Sequence, residues 1–386
     1  MIKIATLKEL PQVYQVMGYG FNWSDSFIKE KSKADKLPEN EVYVIDEDNG
    51  IVKSVVAIID YNVNFEGEVV KFGGMAGAAT LPEYRDQGNL RAIFEYSLQY
   101  MKEHNIILSG LGPFAYEYYR KFGYEWTYTW QIVTLSLKSL KKFEKADKYV
   151  RFRKEDSHIT EAFRNEYCKY INGSIIDTDS MIEEKWNGYE NRNAYVYGAY
   201  KDDKLVSYMV YTIKDRRIYV SEMYFINEKA RGYLLHFLSK HTSNLEDVEL
   251  ILLASDGIRN VIDTPRVSYS NWPNKAGRVV DVLKALNMIR TKHNFKGSFT
   301  IKVDDSSAPF NEGIYQISCK DNRLNAKIVN KRKADYEISI NRLSQLIFGH
   351  LCAQEAIKLD LVKINNEKAQ FLEAFNKKDT MIWREF

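Results

Sequence analysis

Along residues 42–80 short apolar runs, such as Val42-Tyr43-Val44-Ile45 and Val55-Val56-Ala57-Ile58-Ile59, are separated by turn signals. Residues 42–45 read as a strand, Asn49-Gly50 as a hairpin turn, residues 51–61 as its partner, and residues 68–80 as a further long strand-like stretch. After Pro82 the period changes. Leu90, Ile93, Phe94, Leu98 and Met101 share one face over about four helical turns. Asn105 followed by Ile106-Ile107-Leu108 marks a return to strand. A short helix is predicted over residues 114–121, ending at Gly123, where a glycine in left-handed conformation would close it. Trp126, Tyr128, Trp130, Ile132 and Thr134 then alternate in a last strand. The pattern predicts a mixed sheet with a crossover helix.

Residues 137–154 are rich in lysine and read as a solvated connection, with a new domain beginning near Tyr149. The plan then repeats loosely: a helix at 159–170, strands at 194–200, 205–213 and 218–225, a helix at 231–240 and a strand at 248–254. The two stretches look like diverged copies of one fold. Trp272-Pro273-Asn274-Lys275-Ala276-Gly277 punctuates the next boundary, and the apolar residues 279–286 are expected to dock the tail. Strands at 298–303, 315–318, 326–330 and 336–340, then helices near 343–349 and 367–376, make a small α+β domain. The finish, Met381-Ile382-Trp383-Arg384-Glu385-Phe386, is apolar and aromatic and is expected to be tied down.

Composition narrows the function classes. The 386 residues exceed the roughly 250–300 at which a single core stops growing, so two or three domains are expected. Hydrophobic residues at 45% and charged residues at 28% indicate an ordinary folded protein. A net charge of +3, with no basic block, argues against nucleic acid as a partner. Cys168, Cys319 and Cys352 are too far apart for a disulfide framework or a zinc pattern. No run resembles a signal peptide or approaches the roughly 18 apolar residues of a membrane span, so a cytoplasmic protein without a membrane partner is expected. His104, His158 and His293 read as surface residues and His236, His241 and His350 as helix faces. None has ligand spacing, and no metal is expected.

Candidate chemistry centres on Thr80-Leu81-Pro82-Glu83-Tyr84-Arg85-Asp86-Gln87-Gly88-Asn89-Leu90-Arg91, which joins a strand to the start of an amphipathic helix. Unpaired N–H groups, the helix dipole and Arg85 would together hold a pyrophosphate, and Gly88 would let it approach the backbone. A plain turn with solvated charges fits the same residues. Arginine, two residues, then glycine at this place resembles the acetyl-CoA loop of the GCN5-related N-acetyltransferases (GNAT). Leu90 stands where that superfamily usually has glycine or alanine. The loop is closer to the Pro-x-x-Arg-x-x-Gly-x-Leu of the Eis (enhanced intracellular survival) acetyltransferases. Tyr119-Arg120-Lys121-Phe122-Gly123-Tyr124 resembles the Tyr-x-x-Phe-Gly-Tyr of the same group, and the chain ends at Glu385-Phe386 as Eis proteins end with a carboxylate in the active site.

The resemblance implies an α/β fold with mixed sheets: a catalytic GNAT domain (1–148), a degenerate GNAT-like copy (149–277) and a sterol-carrier-like α+β domain (278–386) that delivers the carboxyl terminus. It implies direct transfer of an acetyl group from acetyl-CoA to a primary amine of a cationic acceptor, whether aminoglycoside, lysine side chain or polyamine. Tyr119 would be the general acid, and the Phe386 carboxylate the base or the group that orients the amine. The backbones of Ala78 and Thr80 would pair with pantetheine, while Arg85, Gly88 and Asn89 cradle the phosphates. Asp86 stands where Eis members often carry a second arginine. Phe21, Trp23 and Asp25 offer aromatic walls and a carboxylate suited to a cationic amine, with Glu385 adding charge, although an ordinary aromatic helix–loop junction would look the same. In the second copy, Glu228-Lys229-Ala230-Arg231-Gly232-Tyr233 has the wrong spacing for this loop. A homo-oligomer, a hexamer by resemblance, is expected. The rivals are another acyl group, decided by the pocket near Ala78, and a non-catalytic acyl-CoA or lipid binding protein.

Overall fold

A computed structural model of the chain describes residues 1–264 and 267–382. It divides into two compact units. One holds Met1–Tyr128, Asn172–Ile175 and the chain from Asn274 onward, and the other holds Thr129–Ile171 and Ile176–Pro273.

The first unit opens with β1 (Ile2–Ile4), α1 (Leu10–Phe21), α2 (Asp25–Lys31), β2 (Glu41–Asp48), β3 (Ile51–Phe65) and β4 (Glu68–Thr80), the four strands pairing antiparallel in order. Asn49 and Gly50, both at positive φ, make the predicted turn between β2 and β3. Next, α3 (Asn89–Glu103) crosses over to β5 (Leu108–Leu111), which runs parallel to β4. Alternation sends β2 side chains to both faces. Val44 joins Ile93, Phe94, Leu98 and Met101 of α3, whereas Tyr43 and Ile45 join Leu10, Val13 and Val16 of α1. After β5 come α4 (Tyr116–Arg120) and β6 (Glu125–Ser136).

In chain order there follow β7 (Lys148–Phe152), α5 (Ser157–Cys168), β8 (Ile175–Ile176), α6 (Asp179–Asn191), β9 (Tyr195–Lys201), β10 (Lys204–Lys214), β11 (Arg217–Phe225), α7 (Glu228–Ser239) and β12 (Asp247–Leu253). Within the second unit the strand order is β6-β12-β11-β10-β9-β7. A parallel pair, β11 and β12, is joined by α7 as β4 and β5 are joined by α3, so the plan does repeat. One expectation is corrected here. Residues 137–154 are not simply a solvated connection: Leu137 and Leu140, on the short 3₁₀ turn Leu137–Lys142, are fully buried among Leu234, Leu238 and Leu250, and Lys148–Phe152 is a strand.

The chain re-enters the first unit along β13 (Ser268–Val279), whose last residues pair antiparallel with β5, Ala276 opposite Leu111 and Val279 opposite Leu108. The run Trp272–Gly277, read as loop punctuation, is thus strand. Its proline lies in the exposed first half, where the strand tolerates one, and burial begins at Lys275. Then come α8 (Val282–Met288), β14 (Ser298–Asp304), β15 (Gly313–Lys320), β16 (Arg323–Val329), β17 (Tyr336–Ser339), α9 (Ile340–Phe348), α10 (Ala353–Lys358), β18 (Lys363–Ile364) and α11 (Ala369–Ala374). Their strands form a second sheet, ordered β16-β15-β14-β17-β18. Among the described residues no helix is long and apolar enough to cross a membrane.

Candidate active site

The site begins with a strand leaving its neighbour. β4 pairs with β5 from Phe72–Leu108 to Met75–Leu111, so beyond Met75 the backbone of β4 up to Thr80 is released on that side. Its other edge still follows β3, with Ala57 opposite Ala76 and Val55 opposite Ala79, which leaves Gly77 and Ala78 facing Val56 alone. That is a bulge, a device that bends a strand and re-aims its residues. Gly77 makes it possible: its φ is +60°, and a Cβ there would stand 2.2 Å from Cε of Met17 on α1.

Past Thr80 a 3₁₀ turn (Pro82–Tyr84) leads through Asp86, at φ +60°, and Gly88, at φ +81°, into α3. Gly88 caps that fifteen-residue helix without a side chain, and no acidic residue lies in its first turn, so the leading N–H groups remain free for an anion. A Cβ at Gly88 would meet nothing within 4 Å, which leaves the backbone open to close approach. Arg85 is held by its Nε, which donates to the Thr80 carbonyl at 3.2 Å, and its guanidinium lies 5.9 Å from the Tyr19 ring. The Asn89 amide donates to the Tyr84 carbonyl at 3.1 Å and fixes the loop.

Across β5, α4 supplies the aromatic wall. Tyr119 is 7% exposed and packs against Phe94, Phe114 and Tyr118 at ring distances of 6.2, 5.3 and 5.2 Å. Burial, with smaller contributions from Tyr118 and Tyr124, pushes its hydroxyl up to about 12, so it keeps its proton at neutral pH. A cavity of about 460 Å³ is lined by Ala78, Thr80, Arg85, Gly88, Asn89 and Tyr119 together. Six of the predicted residues thus meet in one place. Gly20, Arg91 and Phe114 also line it and were not singled out from the sequence. Gly20 is where α1 touches β4, since a Cβ there would lie 2.7 Å from that of Ala79.

Trp23 and Asp25 do not line that cavity. They line a second one, of about 650 Å³, between α1 and α2 with Gln15, Tyr19, Ile28 and Lys29. Phe21 lines neither; it is half exposed, with its ring 6.5 Å from that of Trp23. Glu385 and Phe386 lie outside the described residues. The last residue before that stretch, Ile382, is fully buried, and its Cδ1 lies 3.4 Å from where a Cβ of Gly110 on β5 would be. Gly110 is one residue before the point at which β4 and β5 part. Among the described residues no group of three or more His, Cys, Asp and Glu could hold a metal ion.

Known domain families match successive stretches of the chain. Residues 1–127 match an acetyltransferase (GNAT) domain, residues 179–280 match a second acetyltransferase (GNAT) domain, and residues 279–383 match a sterol carrier protein domain. No curated protein matches the chain in sequence. Among solved structures, a conserved protein of unknown function from Enterococcus faecalis V583 superposes with a TM-score of 0.86 at 20% identity over 99% of both chains. A GCN5-related N-acetyltransferase from Anabaena variabilis ATCC 29413 does so at 0.84 and 18% identity, again over 99% of both. Eis1 from Mycobacterium abscessus does so at 0.81 and 15% identity over 100% of both. At such identities the likeness is one of fold, and it extends over the whole chain.

Proposed function

We propose that the protein is an acetyl-CoA-dependent N-acetyltransferase that acts on a primary amine of a cationic acceptor by direct transfer. One observation carries the reading: a single cavity joins the free end of α3, the released backbone of β4 and the hydroxyl-bearing ring of Tyr119. Phosphates would sit against Arg85, Gly88 and Asn89, and pantetheine would pair with Ala78 and Thr80 where β5 has let go. The thioester would then lie within reach of Tyr119.

Attack by a neutral amine on the thioester carbonyl gives a tetrahedral intermediate, whose collapse forms the amide and releases a thiolate. A thiol titrates near 8.5, so complete proton transfer from a phenol held near 12 runs uphill. Tyr119 therefore acts best as a hydrogen-bond donor to the developing sulfur charge, while the attacking nitrogen, acidified in the intermediate, supplies the proton. The Phe386 carboxylate enters this reading through the Eis resemblance. With a reference pKa of about 3.5 it is a weak base, and attraction and orientation of the ammonium suit it better. Aminoglycosides, lysine side chains and polyamines are the acceptors of choice, with Trp23 and Asp25 as candidate contacts. A cytoplasmic homo-oligomer, a hexamer by the same resemblance, completes the reading and is checked by light scattering.

The test is thiol release from acetyl-CoA over a panel of amines. Tyr119→Phe is expected to lower kcat by about 10²-fold or more with CoA affinity unchanged. Tight CoA binding without turnover on any amine would replace the enzyme with an acyl-CoA binding protein.

A further inference from the structure

The turn that follows Tyr119 is gripped, carbonyl by carbonyl, by side chains from the C-terminal part of the chain. Asn341, in the first turn of α9, donates its amide to the carbonyls of Arg120 at 3.0 Å and Tyr124 at 3.1 Å. Ser307 donates to the Lys121 carbonyl at 3.0 Å, and the buried Arg278, itself paired with Asp305, donates to that of Phe122. Gln345 reaches the Trp126 carbonyl and Thr380 that of Thr127, each at 2.8 Å. Six of the eight carbonyls from 120 to 127 are taken in this way. The side chains follow suit. Arg120 forks onto Glu125, 1% exposed, and Arg342 of α9 binds the same carboxylate at 3.0 Å.

α4 cannot hold this position alone. It has five residues, far fewer than a helix needs to persist by itself, and local closure of its last turn is confined to backbone bonds onto the carbonyls of Tyr119, from Phe122 and Tyr124, and of Arg120, from Gly123. Most groups that fix the exit of α4 therefore come from residues 278–380, more than 150 positions away in sequence. A sheet that only needed covering would need apolar contact. Directional donors to successive carbonyls instead fix where the turn lies along and across its own axis.

We propose that the sterol carrier protein domain sets the position of the Tyr119 hydroxyl through this carbonyl grip, with Asn341 as its principal positioning residue. The inference rests on the reading of Tyr119 as the catalytic donor. A displacement of about 1 Å at a reacting group can cost on the order of 10²-fold in rate. Asn341→Ala in the full chain is accordingly expected to lower kcat by about 10- to 100-fold while the Kd for CoA stays within about twofold. A double-mutant cycle separates positioning from mere stability. In a Tyr119→Phe background, Asn341→Ala should slow turnover by less than about twofold, because there is no hydroxyl left to misplace. Ser307→Ala should show a smaller loss with the same non-additivity, and Ser307→Thr, which keeps the donor, should restore the rate. These milder variants also serve if Asn341→Ala does not fold.

An Asn341→Ala enzyme at wild-type kcat, or one in which the substitution costs the same factor with and without the Tyr119 hydroxyl, overturns the inference. If Tyr119→Phe itself turns over normally, the catalytic assignment fails first and takes the inference with it. That outcome is distinct from a slow Tyr119→Phe beside a fast Asn341→Ala.

Discussion

A side chain at position 77 has nowhere to go. Gly77→Ala would place a methyl group 2.2 Å from Met17 on a backbone at φ +60°, so the bulge must relax or Met17 must move. We expect a loss of about 1–3 kcal/mol in stability together with at least tenfold weaker CoA binding, because the same bulge aims Ala78 and Thr80. Thermal unfolding and CoA titration on one preparation check both. Asp86 gives the opposite sign. It lines the cavity beside Arg85 and puts a negative charge where phosphates would bind. Asn tolerates the same left-handed backbone, so Asp86→Asn should tighten CoA binding by about fivefold, corresponding to about 1 kcal/mol between partly screened charges. The gain should shrink in high salt; unchanged affinity would remove Asp86 from the phosphate subsite. That Arg85, Gly88 and Tyr119 come together at one cavity was foreshadowed in the sequence by the spacings through which the loop and the tyrosine element resemble the Eis group. Gly77 was not. In Gly73-Gly74-Met75-Ala76-Gly77-Ala78-Ala79-Thr80 nothing marks which glycine carries the positive φ, since that depends on where the β3–β4 register slips, a matter of pairing with a neighbouring strand and not of local sequence.

Elements with a clean period were readable, and those whose character depends on a distant partner were not. The face of α3 was evident from Leu90 to Met101. By contrast α1 went unassigned, since Gly18 and Gly20 speak against a helix while in fact admitting Ile28 and Ala79 close to its axis. His350 was read as part of a helix face but lies just beyond α9, after Gly349, with its ring centroid 4.9 Å from that of Trp126. Burial, helped by the charge of Lys377 and opposed by Glu355 and Glu125, holds it down to about 4. The consequence has a definite sign. Between pH 6.5 and 4 the unfolded chain binds a proton that the folded one refuses, so stability falls as pH falls, by up to about 1.4 kcal/mol per pH unit from this group. His350→Asn should flatten that part of the stability–pH curve relative to wild type. Parallel curves between pH 4 and 6.5 would show that His350 titrates normally.

For the whole molecule, a linear reading divides the chain into consecutive segments, whereas the first compact unit gathers residues from both ends of it. A period in the sequence shows that residues 108–111 are a strand but not which strand lies beside it. That neighbour is β13, about 165 positions later. All four residues of β5 are buried, and Ala276 and Val280 join Ile93, Leu111 and Tyr119 in one core. Arg278, fully buried, brings Asp305 with it. A chain ending at residue 148 would keep Tyr119 and the whole loop from Thr80 to Arg91. It would nevertheless lose the partner of β5 and the donors to the carbonyls after α4, leaving an apolar edge and an unsupported turn. We therefore expect that chain to aggregate at micromolar concentration, to lack a cooperative thermal transition and not to bind CoA, although the matched domain ends at residue 127. A cooperative transition within about 5 °C of the full chain, with CoA binding retained, would show that the first domain is self-sufficient. The later residues would then be a covering that catalysis does not need.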